Sequence, residues 1–169
     1  MKAVAVILAV AIAVALQTTL ARFLARGTLS VDFVLIAVVY VALTSGPVTG
    51  LLSGTFAGLV QDALSSGVIG IGGLAKTVVG FLAGVIGTQF IVTHSLPRFV
   101  VFFLATIVHA IIFMGLYILL DLRHFGTPYA AVIRQALANA IIGIVAFQVV
   151  ELLPGAVERR RAQRGRIHR

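Results

Sequence analysis

The chain has 169 residues, 60% of them hydrophobic and only 11% charged, with a net charge of +8 and neither cysteine nor tryptophan. Soluble domains carry about 25% charged residues, and no polar tract here is long enough to make one. The composition therefore excludes a water-soluble domain, disulfides and thiolate metal sites, and it predicts an all-α integral membrane protein.

A helix needs about 20 mainly apolar residues to cross the hydrocarbon, and six such stretches follow in order. The first covers 3–20. Lys2 ahead of a short apolar run would also suit a secretory signal, but everything downstream is equally apolar, which favours a retained span. The second, 30–45, opens with Ser30 as N-cap and Asp32 in the first turn, where the positive end of the helix dipole favours a carboxylate. It is short, so it sits shallow or thins the bilayer locally.

The third stretch, 47–64, starts at Pro47, a favoured first-turn residue, and continues VTGLLSGTFAGLVQD. Gly46, Gly50, Gly54 and Gly58 stand four apart, and the next step of four is Asp62. Glycine weakens a helix in water. In lipid it lets two backbones approach closely, so the row reads as a helix-packing or partner interface. The fourth stretch, 69–92, repeats the device with Gly73, Gly80, Gly84 and Gly87, and Gly80 and Gly84 share a stripe with Lys76.

The fifth stretch, 99–120, has His109 near its middle. The sixth, 128–153, follows Thr127 as N-cap, begins with Pro128 and stops before Pro154. It carries Gln135 and Asn139 one turn apart. One six-span membrane domain, 1–153, is thus followed by a basic tail, 154–169.

The tail holds Arg159, Arg160, Arg161, Arg164, Arg166 and Arg169 against Glu158. Basic residues favour the cytoplasm, so the tail is expected there, and six spans then place Lys2 and Arg98 on the same side. Arg22, Arg26, Arg123 and Arg134 fall outside, and five spans is the rival count. Without aromatics or a folded module around it, the tail suits anionic lipid rather than nucleic acid.

Charges inside spans are costly and face protein or water. Asp62 ends the third stretch and Lys76 lies about two turns into the fourth, on stripes that could meet. The expectation is an intramembrane Asp62–Lys76 pair that fixes the register of the hairpin. His109 and Asn139 read as buried polar packing residues, and Glu151 as a solvated partner for the tail arginines. Catalysis is not expected. The Gly58-x-x-x-Asp62 fragment lacks the further aspartates that divalent ions need, and no nucleophile has a base and oxyanion site. No cofactor or metal is expected either.

The segment GPVTGLLSGTFAGLVQDALSSGVIGIGGLAKTVVGFLAG resembles the central region of the rod-shape-determining membrane protein family MreD, at Gly58, Leu59, Asp62, Ile69, Gly70, Leu74, Ala75, Gly80 and Gly84. The resemblance implies a compact bundle of six transmembrane helices similar to the substrate-binding component of energy-coupling-factor transporters. It also implies a noncatalytic subunit of the bacterial elongation machinery in the cytoplasmic membrane. Such a subunit binds an MreC-like single-span partner and is linked through it to an MreB-like filament and a peptidoglycan synthase. The competing reading is the substrate-binding membrane component of a vitamin-type transporter, with Asp62, Lys76, His109 and Asn139 as polar contacts.

Overall fold

The computed structural model describes residues 2–24, 30–65, 67–90, 94–122 and 129–167. Those residues form six helices: α1 (Lys2–Leu24), α2 (Phe33–Ser45), α3 (Pro47–Leu64), α4 (Ile71–Gln89), α5 (Ser95–Leu119) and α6 (Tyr129–Ile167). Among the described residues, three stretches are long and apolar enough to cross a membrane, Ile71–Gln89, Ser95–Leu119 and Tyr129–Leu152, and Val6–Leu20 and Phe33–Ser45 are shorter apolar helices.

The short helix α2 is the centre of the bundle. It is apolar on every face, as expected of a helix with no solvent side, and it packs against all five others. Val34, Val38, Val39 and Ala42 are completely buried. Leu35, Val39 and Ala42 join Val79 of α4, Phe102 of α5 and Ala140 of α6 in the main core. Val34 and Val38 meet Val10 and Ala13 of α1 and Ala57 of α3 on the other side. The outer surface is apolar instead of polar, with Ile7, Leu52, Phe56, Leu104, Ile111 and Ile141 all exposed. Lipid, unlike water, leaves such residues at no cost.

Two glycines with positive φ make the sharp turns. Gly46, at φ 89°, ends α2 by donating its N–H to the Ala42 carbonyl, and Pro47 starts α3 at once. A Cβ at Gly46 would reach Thr88 only at 3.8 Å, so it is the turn that requires glycine here, while the Gly46 backbone still lies against Gly84 at the end of the row. Gly70, at φ 106°, precedes α4.

The rest of the row is a backbone-to-backbone contact. Gly50 lies on the Gly80 carbonyl, Gly54 on the Lys76 carbonyl, Gly58 on the Gly73 Cα, and Gly84 on Pro47. A Cβ at any of these positions would collide with facing backbone. Thr55 and Thr77 share a hydrogen bond of 2.8 Å across the same seam.

Several boundaries differ from the sequence reading. The N-cap of α2 is Asp32, whose carboxylate accepts the Leu35 N–H at 2.9 Å; Ser30 lies before it. Helix α5 begins at Ser95, with Pro97 inside its first turn, where a missing N–H costs nothing. Helix α6 runs through Pro154, which removes one internal hydrogen bond from a stretch otherwise rich in good helix formers. Thr127 and Pro128 lie outside the described residues.

Candidate functional site

Helices α1, α3 and α5 end where α2, α4 and α6 begin, and the bundle keeps most of its buried polar groups near that end. Asp32 stands at the centre. As N-cap it gives one carboxylate oxygen to the Leu35 N–H, which leaves Oδ2 to accept from Lys76 Nζ at 3.0 Å. Both side chains are almost fully buried. Lys76 Nζ also lies 3.2 Å from His109 Nε2. An ammonium can only donate, so that nitrogen accepts, and the imidazole is the neutral tautomer with its proton on Nδ1. The ring stacks on Phe113, with centroids 5.8 Å apart.

The network continues into α6, α5 and α1. Asn139 Oδ1 accepts the Asp32 N–H at 3.0 Å, and its Nδ2 donates to Thr106 Oγ1 at 3.1 Å. Gln17 brackets the start of α2, donating to the Val31 carbonyl and accepting from the Phe33 N–H. Four helices, α1, α4, α5 and α6, thus converge on the first turn of α2. A buried ion pair survives in such a place only when its remaining donors and acceptors are also met, and this one is extensively satisfied.

Asp62 and Lys76 do not form the expected pair. Asp62 Oδ2 accepts the N–H groups of Gly70 and Gly73, at 2.9 and 3.0 Å, and so caps the start of α4. Register is the reason. Gly54 faces Lys76 across the seam, and Asp62 is eight residues farther along α3 (62 − 54), about 12 Å at 1.5 Å per residue. A lysine in the first turns of α4 is level with the start of α2, since both helices begin at this end. That parity was the signal for Asp32, which the sequence reading treated as a dipole residue only.

A second polar contact lies at the opposite end. Arg98, expected in a cytoplasmic loop, is buried in α5. It makes a two-pronged bond to Glu151 of α6, at 3.0 and 2.6 Å, and its guanidinium sits 3.9 Å over the Phe147 ring. Glu151 is therefore a partner for α5. The tail side chains with which it was expected to pair lie outside the described set.

Between Asp32, Lys76 and His109 on one side and Asp62 on the other lies a cavity of about 430 Å³, also lined by Gln61, Gln135 and Tyr117. Among the described residues, Gln61 Oε1 is buried without a hydrogen-bond partner. A second, larger groove of about 640 Å³ runs between α1 and α3 toward the other end, past Ile7, Val10, Leu52 and Phe56. Among the described residues no group of three or more His, Cys, Asp or Glu side chains is placed to hold a metal.

The family model described as rod shape-determining protein MreD matches residues 1–155, five complete helices and α6 as far as the residue after Pro154. The chain belongs to the MreD family. Comparison with curated proteins and with solved structures returned no match. MreD membership makes this a membrane protein of rod-shape determination, and its long apolar helices fit that setting. The resemblance read from the glycine seam and Asp62 falls wholly inside the matched region.

Proposed function

We propose that this MreD-family chain is a noncatalytic subunit of the bacterial cell-elongation machinery. It holds an MreC-like single-span partner in the cytoplasmic membrane and, through it, bears on the MreB-like filament and on peptidoglycan synthesis. The family match over residues 1–155 carries this reading. Six crossings, cytoplasmic termini, a likeness to energy-coupling-factor substrate-binding components and attraction of the basic segment 154–169 to anionic lipid belong to the same proposal.

The partner's surface follows from what the glycines are already doing. Their face of α3 is occupied by α4, so a partner helix meets the opposite face. There Val48, Leu52, Phe56 and Leu59 are exposed at spacings of four, four and three. They form a ridge beside the groove between α1 and α3, and a single apolar helix packs on such a ridge through dispersion contacts.

The test is complementation of a rod-shaped bacterium depleted of its own MreD. Leu52→Ala combined with Phe56→Ala should leave protein levels unchanged, because both side chains face outward, and should yield rounded cells. Normal rods at normal protein level would remove this face from consideration.

A further inference from the structure

We infer that the open side of the bundle, a groove between α1 and α6, is a binding site for one phospholipid with an anionic headgroup. The lipid phosphate sits on Arg134 and one acyl chain lies along the groove. The inference stands apart from the partner-binding reading and concerns a different face.

The groove exists because the ring of helices around α2 is not closed. Helices α1, α3, α4, α5 and α6 pack on one another in that order and each packs on α2, but among the described residues α1 and α6 do not meet. The central helix carries the imprint of that gap. Between residues 33 and 42 every position is buried except Phe33, Ala37 and Tyr40, which share one face at spacings of four and three. A groove of about 520 Å³ results, lined by Leu20 of α1, Phe33 of α2, and Leu137, Ala138 and Ile141 of α6. Arg134 stands at one end and is the sole polar side chain in its lining.

Length selects a lipid over a transmembrane helix. On α6 the groove runs from Arg134 to Ile142, eight residues farther (142 − 134), or about 12 Å at 1.5 Å per residue. A spanning helix needs a face along about 30 Å of hydrocarbon, whereas 12 Å lies within one leaflet. Beyond the groove, Tyr40 of α2 meets Phe147 of α6 edge-on, with centroids 4.8 Å apart.

Charge selects the headgroup. Arg134 is exposed and, among the described residues, has neither an ion pair nor a hydrogen bond. Leu137 and Ile141, one and two turns along, are exposed too, so this flank faces lipid and a long side chain carries its guanidinium to the phosphate layer. A guanidinium takes phosphate oxygens in a two-pronged geometry. The rest of this end adds to the attraction. Asp32 and Lys76 neutralise each other, and the connecting sequences 21–29 and 123–128 hold Arg22, Arg26 and Arg123 but no carboxylate. Four arginines thus stand against Asp62 and Asp121, and Asp62 already caps α4. The surplus is positive, which favours phosphatidylglycerol or cardiolipin over a zwitterionic lipid.

The direct test is native mass spectrometry of the full chain in mild detergent, equilibrated with equal amounts of phosphatidylglycerol and phosphatidylethanolamine of the same acyl chains. Wild type should retain phosphatidylglycerol in preference, and Arg134→Gln should weaken that binding about fivefold, the scale for one basic residue near an anionic surface. Ala138→Leu, which fills the groove and keeps the arginine, should also lower retention. Wild-type retention by either folded variant, or equal retention of the two lipids, would overturn the inference. A photo-cross-linking benzoylphenylalanine in place of Ile141 reads the occupant in native membranes without altering Arg134. Its adducts should be enriched in phosphatidylglycerol or cardiolipin over their share of the membrane. Adducts that match the bulk lipid, or that join a second copy of the chain, would overturn the inference. Adducts to a single-span protein would overturn it as well, and would move the partner's surface from α3 to this gap.

Discussion

Lys76 needs its charge answered by a neighbour, because a lone ammonium inside a membrane helix bundle is among the most expensive groups a fold can carry. Asp32 answers it, His109 Nε2 accepts a second hydrogen bond from the ammonium, and Asn139 fixes the Asp32 backbone. Removing one side of a buried pair costs about 3–5 kcal/mol, because the other side is left uncompensated. Lys76→Met should therefore lower stability by about that amount, and adding Asp32→Asn should recover most of it while keeping the α2 cap. Thermal unfolding in detergent reads both. The exchange Asp62→Lys with Lys76→Asp should show no such recovery, since those residues are separated along the seam. The presence of buried charges was legible in the sequence, but their pairing was not. Five acidic residues offered several partners, and only the three-dimensional level of each helix start decided among them.

At the scale of helices, the α3–α4 seam was the most legible feature, because small residues four apart have few other uses in lipid. Its register was not legible. Gly46 continues the spacing yet serves a turn, and a one-residue connection between α2 and α3 sets where the row begins. The two roles separate by substitution. Gly46→Ala has room for its Cβ and should cost only the backbone term of a side chain at φ 89° and ψ 177°, on the order of 1–3 kcal/mol. Gly54→Ala puts a methyl into the Lys76 backbone and should cost about 3 kcal/mol or more, since neither helix can yield without moving the Lys76 network. Equal effects at the two positions would contradict this division. Arg98 falls just outside the fifth stretch as read from the sequence, which starts at residue 99; α5 begins at Ser95, because its first turn absorbs Pro97.

For the molecule as a whole, polar contacts near one end and at the other brace a core built around α2, and the outward faces are left apolar. The Asp32 network joins five helices, and the Arg98–Glu151 bond ties α5 to α6 at the opposite end. A bundle braced at both ends suits the proposed part of holding another protein in a fixed pose. The most direct measurement is the protein composition of the tagged chain purified from its native membranes in mild detergent, quantified by mass spectrometry. The expected result is one single-span protein with an extracytoplasmic domain at constant ratio to the chain, depleted by Leu52→Ala with Phe56→Ala. Recovery of the chain without such a protein, or with ATPase subunits and a coupling membrane protein in its place, would contradict the scaffold reading.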